Sequence, residues 1–250
     1  EKKKILFVNP AAGSLFNRAI PALLGSTFDY SPKEEITELE IFPRGKKESI
    51  FVELRNVQIE WEEKNAVLTT LRDITERKLA EKQLQYLATH DSLTNLPNRA
   101  LFYDRLNHAL AQGRRYKNLF SILYLDLDGF KIVNDRYGHD VGDDLLQLVS
   151  MRFNSAIRES DTVARLGGDE FTFIIENILD LRDAEQVAKK ILESLKIPFH
   201  VANFEIFISA SIGISVYPQH GEDADKLVKK ADLAMYAAKQ SDDVKYLFCS

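Results

Sequence analysis

Residues 162–175 read TVARLGGDEFTFII, two apolar runs (162–166 and 171–175) around Gly167-Gly168-Asp169-Glu170. Such runs separated by glycines predict two strands and a tight hairpin. The glycines admit positive φ and leave room for a ligand beside the backbone, so the turn presents Asp169 and Glu170 next to an accessible main chain. Upstream, LFSILYL at 119–125 is an apolar run of strand length that ends in Asp126-Leu127-Asp128. Side chains alternate along a strand, so Asp126 and Asp128 share a face. Acids at a strand end and on a neighbouring turn suit Mg²⁺, which takes one or two protein carboxylates and completes its shell with water and substrate phosphate. Two such ions activate a hydroxyl and steady a departing oxygen in phosphoryl transfer. Each acid taken singly also reads as a solvated turn residue; the four together carry the metal reading.

Outward from these two segments, residues 90–250 alternate helical and strand patterns. Asn98 is placed to cap a helix over 99–112 that ends at Gly113. Helices are expected at 129–137, 141–158, 181–196 and 223–240, with one long strand near 204–217. This order predicts an α/β (α+β) unit with a central sheet covered by helices. Before it, ITERKLAEKQLQYLAT at 74–89 has no Gly or Pro and is made mostly of helix formers. Ile74, Leu79, Leu84 and Leu87 recur near a helical repeat. That pattern fits a plain connecting helix and equally a helix paired in a dimer. Residues 50–60, IFVELRNVQIE, alternate like a half-buried strand whose phase slips near Arg55–Asn56, where a bulge or bend is expected. Residues 66–72 give another strand, and Arg44-Gly45-Lys46-Lys47 a hairpin turn.

Composition removes several classes. With 45% hydrophobic residues, 28% charged, 11 Gly and 7 Pro in 250 residues, the chain is not largely disordered. No apolar run approaches the roughly 18 residues of a membrane span. The opening EKKKILF is too short in apolar residues for a signal peptide, so a cytoplasmic protein is expected. Cys249, the one cysteine, excludes a disulfide framework and a cysteine-built zinc site. A net charge of −5 argues against a broad nucleic-acid footprint.

Arg165-Leu166-Gly167-Gly168-Asp169-Glu170-Phe171 resembles the GGDEF signature of bacterial diguanylate cyclases, including its preceding Arg-Leu. His90-Asp91-Ser92-Leu93-Thr94-Asn95-Leu96-Pro97-Asn98-Arg99 looks like that family's opening segment. Asp126-Leu127-Asp128-Gly129-Phe130-Lys131, Asn134-Asp135, Gly138-His139-Asp140 and Gly142-Asp143 match its central blocks. Ser211-Ile212-Gly213-Ile214-Ser215 and Ala231 through Lys239 match its closing ones, so the likeness spans about residues 88–248 in order.

The resemblance implies a palm-like nucleotidyl-cyclase sheet and condensation of two GTP into cyclic di-GMP with loss of two pyrophosphates. Two protomers, each holding one GTP, would meet face to face. By position, Asp126, the Leu127 carbonyl and Asp169 would hold Mg²⁺ (or Mn²⁺), and Glu170 would complete the charged turn beside Gly167 and Gly168 and aid removal of the 3′-hydroxyl proton. Asn134 and Asp143 would read the guanine edge, which suits a carboxylate accepting from N1–H and the exocyclic amine. Phe130 and Lys131 would offer backbone amides to phosphate, and Lys239 positive charge. His139 would lie near the pocket, although a histidine at a helix start needs no ligand. Arg158-Glu159-Ser160-Asp161 matches the RxxD element that binds product for feedback inhibition; read alone, Arg158 and Asp161 are a surface ion pair.

One departure stands out. After Lys239 the family continues with a Gly-Arg-Asn or Gly-Lys-Asn element, whereas this chain reads Gln240-Ser241-Asp242-Asp243-Val244-Lys245. Asp243 thus stands where a phosphate-binding cation is expected, and low or activation-dependent turnover follows unless Lys245 reaches around to replace it.

Residues 1–75 resemble the later part of a PAS domain, on Phe7-Val8-Asn9-Pro10-Ala11-Ala12, Leu15-Phe16, Leu24-Gly25 and the exit Leu71-Arg72-Asp73-Ile74-Thr75-Glu76-Arg77. The family's first strand should precede Ile5, so the domain is expected to be incomplete here. All five histidines (90, 108, 139, 200, 220) and Cys249 lie outside it, so neither haem nor a cysteinyl-flavin is expected. A small ligand in an apolar pocket and a purely structural dimerisation module both remain open. The expected organisation is a PAS-like domain at 1–75, a signalling helix at 76–89 and a GGDEF domain at 90–250. The expected partners are GTP, cyclic di-GMP and a second copy of the chain, held through the PAS-like region, the linker helix and transient pairing of GGDEF domains. The rival expectation is a weakened GGDEF domain that binds GTP or cyclic di-GMP and regulates an EAL phosphodiesterase beyond this sequence.

Overall fold

In the computed structural model, which describes residues 4–28, 36–241 and 243–250, two units divide the chain, Glu1–Gln85 and Tyr86–Ser250. The first opens with helix α1 (Pro10–Phe16). Asn9 accepts from the Ala12 N–H at 2.8 Å and Pro10 takes the first helical position, where its missing N–H costs nothing. A short α2 (Ile20–Leu23) follows, then an antiparallel meander of β1 (Ile36–Ile41), β2 (Ile50–Trp61) and β3 (Lys64–Asp73). Glu62 and Glu63, both at positive φ (49° and 62°), make the two-residue turn between β2 and β3.

The bulge expected near Arg55–Asn56 is absent. The β2–β3 ladder runs unbroken from Val52 opposite Asp73 to Trp61 opposite Lys64. The alternation changes for another reason: among the described residues the pairing of β1 ends at Ile36 opposite Arg55. Beyond that point β2 is largely exposed, Val57 and Gln58 included. Helix α3 (Thr75–Thr89) leaves the meander, its Thr75 N–H held by Asp73 Oδ1 at 2.9 Å. Glu38 of β1 pairs with both Arg77 and Lys78 in its first turns. None of its residues is buried, and Leu79, Leu84 and Leu87 are exposed.

The second unit contains α4 (Arg99–Tyr116), β4 (Leu119–Asp128), α5 (Phe130–Tyr137), α6 (His139–Ala156), β5 (Thr162–Gly167), β6 (Glu170–Ile178), α7 (Leu181–Leu195), β7 (Phe199–Val201), β8 (Phe204–Ile206), β9 (Ser209–Tyr217), α8 (Ala224–Lys239) and β10 (Tyr246–Phe248). Its sheet has the order β10-β9-β4-β6-β5, which makes β4 the central strand. Both neighbours of β4 are antiparallel to it, and β10 runs parallel to β9. The period of two sorts the side chains of β4. Leu123, Leu125 and Leu127 join a core with α6 and α7 residues such as Leu145, Phe153 and Ile191. Ile122 and Tyr124 join the opposite core with Phe102 and Leu106 of α4 and Leu227 and Met235 of α8.

Gly113 does not end its helix: α4 continues to Tyr116 and stops at Lys117, which takes a left-handed conformation (φ 62°). Gly113 is buried, and a Cβ there would lie 2.7 Å from the Tyr217 ring, so close packing and not termination explains the glycine. The strand expected over 204–217 is two strands, β8 paired with β7 and β9 paired with β4. The alternation of buried Ile206, Ile208, Ala210 and Ile212 runs straight through the break, so periodicity cannot mark where the hydrogen-bond partner changes. No periodic pattern marks the three residues of β10. Among the described residues no helix is long and apolar enough to cross a membrane.

Candidate active site

The acids gather at the end of β4. Antiparallel pairing sets Asp126 opposite Glu170 on β6 and opposite Ser211 on β9, with Asp128 opposite Ser209. Asp126 and Asp128 continue the face of Ile122 and Tyr124, so they project towards α8. There Lys239, the last residue of α8, forms an ion pair with Asp126 Oδ1. Lys245 Nζ lies 3.0 Å from Asp128 Oδ2, and the Ser211 hydroxyl donates to Asp128 Oδ1 at 2.8 Å.

The β5–β6 turn is held by a brace. Gly167 and Gly168 adopt φ of 147° and 55°, a conformation that side chains with a Cβ resist. Arg165 donates from Nε and Nη2 to the Gly168 carbonyl at 3.0 and 2.7 Å, and from Nη1 to Asp91 Oδ1 at 2.8 Å. The same Asp91 oxygen accepts from the Thr94 N–H and hydroxyl. Burial works against the Asp91 charge, but the Thr94 and Arg165 bonds outweigh it and hold the carboxyl below its ordinary range. The turn also meets β4 directly, through the Leu127 N–H donating to the Asp169 carbonyl at 3.2 Å. Behind it, the Tyr124 hydroxyl donates to Glu170 Oε2 at 3.1 Å. Burial, and next the Glu170 carboxylate, push this hydroxyl well above its ordinary value, so it remains a donor.

Charge is dense at this point. Burial raises the Asp126 carboxyl above the ordinary range; Asp169 and Asp128 push the same way, and the Lys239 ammonium only partly offsets them. Lys239 is itself disfavoured by burial, yet Asp126, Asp169 and Asp128 together keep it above the usual lysine value. Among the described residues no three His, Cys, Asp or Glu side chains form a self-sufficient metal cage. The donor set present is a pair of carboxylates on adjoining strand and turn, together with main-chain carbonyls. That set fits a cation such as Mg²⁺, which uses few protein ligands and takes the rest from water and phosphate.

The other expected residues lie on α5 and α6. Gly129 stands at the N-cap of α5 and has no side chain to cap it, which leaves the Phe130 and Lys131 amides without helical partners. Asn134 is packed against the first turn of α6: a Cβ on Gly142 would fall 1.8 Å from Asn134 Oδ1. This places the amide beside the residue preceding Asp143. His139 and Asp143 are exposed, at the start and in the second turn of α6. Arg158 and Asp161 do not form an ion pair among the described residues. Asp161 is buried and accepts from the Arg158 and Glu176 N–H groups, while the Arg158 side chain is exposed. Asp243 is exposed, and Asp242 lies outside the described residues.

The sequence alone assigns no role to Tyr124, Ser211 or the contact of Arg165 with Asp91. Tyr124 had a usable signal, since two residues before Asp126 on the same strand shares its face. Ser211 and Asp91 come from distant segments, and only strand register and tertiary folding bring them in.

A family profile described as "Diguanylate cyclase, GGDEF domain" matches residues 88–244. The chain is 46% identical over 169 residues to the "Bifunctional diguanylate cyclase/cyclic di-GMP phosphodiesterase MucR" of Pseudomonas aeruginosa, covering 68% of this chain and 24% of that protein. It is 42% identical over 168 residues to the "Cyclic di-GMP phosphodiesterase PdeR" of Escherichia coli, covering 67% of this chain and 25% of that protein. With the "Diguanylate cyclase TpbB" of Pseudomonas aeruginosa the identity is 40% over 181 residues, covering 72% and 42%. The chain thus spans about a quarter of the length of MucR and PdeR. Among solved structures, the GGDEF domain of TpbB is similar at a TM-score of 0.63 and 40% identity, covering 64% of this chain and 94% of that one. The coiled coil and GGDEF domain of DgcB from Caulobacter crescentus, in complex with c-di-GMP, gives a TM-score of 0.63 at 25% identity, covering 70% and 93%.

Proposed function

Because the chain belongs to the diguanylate cyclase GGDEF domain family, we propose that its second unit condenses two GTP into cyclic di-GMP and two pyrophosphates. The observation that carries this reading is the convergence of Asp126 and Asp128 on β4 with Asp169 and Glu170 of the adjoining turn, faced by Lys239. Asp126, Asp169 and the Leu127 carbonyl would hold Mg²⁺ or Mn²⁺, which when bound supplies Lewis acidity to the attacking hydroxyl and to the leaving phosphate oxygen. Asn134 and Asp143 bind the guanine edge. The Phe130 and Lys131 amides and the Lys239 ammonium bind phosphate. Glu170, which accepts from Tyr124, aids removal of the 3′-hydroxyl proton. Gly167 and Gly168 keep the turn open to substrate, with Arg165 fixing its carbonyl.

Each reaction makes one bond from a 3′-oxygen to the α-phosphorus of the other GTP and breaks that phosphorus–pyrophosphate bond. Closing the ring takes two such steps, so two protomers must face each other. Exposed Leu79, Leu84 and Leu87 on α3 support pairing through that helix, and we place the protein in the cytoplasm with its substrate. Residues 1–75 act as a PAS-like regulator, and Arg158 with Asp161 as a site for inhibitory product.

The test is to incubate the chain with GTP and Mg²⁺ and separate the products by chromatography. Cyclic di-GMP and pyrophosphate in a 1:2 ratio are expected. A second reading, a GTP- or cyclic di-GMP-binding module that regulates another activity, is favoured by Asp243 and by the phosphodiesterase named among its relatives. Tight GTP binding with no product would select it.

A further inference from the structure

β10 lies parallel to β9 with Tyr246 opposite Ile212, and the Ile212 N–H donates to the Lys245 carbonyl at 2.9 Å. β9 is in turn registered on β4, with Ser211 opposite Asp126. Lys245 therefore starts one strand away from the acids. Its side chain crosses β9 to bring Nζ within 3.0 Å of Asp128 Oδ2. Two ammonium groups from different elements, Lys239 and Lys245, thus end on two carboxylates of one strand face. They lie at the end of β4 where α5 begins with uncapped amides.

The Lys245 pair is not needed to fasten the edge of the sheet. β10 is already tied to β9 by main-chain bonds, including the Cys249 N–H to the Ile214 carbonyl at 2.9 Å. The lysine side chain is 42% exposed, as is that of Lys239, and an ion pair with that much solvent access is worth little. A polyphosphate offers several anionic oxygens where Asp128 offers one, so exchange favours the nucleotide. Asp243 is exposed and joins no ion pair among the described residues, whereas Lys239 and Lys245 both reach the acids of β4.

We propose that Lys245 is a second phosphate-binding cation of this chain, resting on Asp128 in this structure and moving its N–H donors onto the polyphosphate of a bound nucleoside triphosphate. The inference rests on the cyclase reading for the identity of the nucleotide, and not for the contact itself.

The test uses the full chain and isothermal titration with α,β-methylene-GTP and with guanosine, both in MgCl₂. Lys245→Ala should weaken the triphosphate about tenfold, the loss of one charge-assisted contact, and leave guanosine within about twofold. Lys245→Arg should stay within about threefold of the parent for both. Asp128→Asn, which frees the ammonium, should tighten the triphosphate by roughly threefold, and that gain should vanish in the Lys245→Ala background. Equal weakening of both ligands with a lower Tm, an unchanged triphosphate affinity, or no triphosphate binding by the parent chain would each overturn the proposal. Lys245-dependent triphosphate binding without cyclic di-GMP production would refute the cyclase reading and uphold this one.

Discussion

β4 of the second unit has seven of its ten residues buried, whereas β2 of the first has two of twelve. The first strand is packed on both faces and delivers Asp126 and Asp128 at its end with little freedom. The second is an open meander whose apolar side chains, among them Val57 and Trp61, remain partly exposed. Beside it lies a cleft of about 670 Å³ within that unit, lined by Phe7, Leu15, Phe16, Trp61 and Leu71. The contrast separates two uses of a sheet. Chemistry that needs carboxylates fixed against their mutual repulsion is mounted on a strand whose position is decided by burial. A sheet with little buried surface holds its side chains less firmly.

The sharpest way to break this comparison is Asp126→Asn. Asp126 has its folded-state proton affinity raised, so its charge destabilises the fold at neutral pH, and stability is gained as pH falls through the folded value. Removing the charge should cut cyclic di-GMP formation by at least about 100-fold. It should also raise rather than lower Tm at pH 7, because the buried charge opposed by Asp169 and Asp128 is gone. A lower Tm would show that the site is not strained by its function.

Core substitutions come next. Phe153 packs edge-on against Phe171 and Phe173 at 5.2 and 5.5 Å and is fully buried. Phe153→Ala should cost about 3–5 kcal/mol in denaturant unfolding, and Val57→Ala in the exposed part of β2 about 0.5 kcal/mol or less. Similar losses at the two positions would erase the distinction.

Asp91→Asn should destabilise the second unit by roughly 1–3 kcal/mol at pH 7 through its bonds to Arg165 and Thr94. Because the Asp91 pKa is lowered on folding, that contribution is complete above the unfolded value near 3.9 and is lost as pH falls through the folded one. The difference between parent and variant, measured by urea titration from pH 7 to pH 3, should therefore narrow only below about pH 4. The smallest effect expected is that of Asp243→Arg, a two- to fivefold lower Michaelis constant for GTP, about the size of one exposed charge contact. No improvement would remove Asp243 as a cause of weak binding.

Much of this frame was legible in the sequence, and the exceptions share a cause. The strand ending in Asp126-Leu127-Asp128, the glycine turn and the Asn98 cap are local features, readable from alternation and capping chemistry. The glycine at 113 inside α4 answers to its packing on Tyr217, and the division between β8 and β9 to which strand each one meets. Likewise Lys245 was visible as a stray cation, but its distance from Asp128 is set by β10, a three-residue strand with no periodic signal. Tertiary register decided each of these, and a single sequence does not display it.

The most direct measurement of the central claim pairs GTP binding with product formation in Asp169→Ala. If the acids of the turn serve the chemistry, this variant should keep its fold and bind GTP within about tenfold of the parent, and form no detectable cyclic di-GMP with Mg²⁺. Product formed by Asp169→Ala at the parental rate would contradict the account.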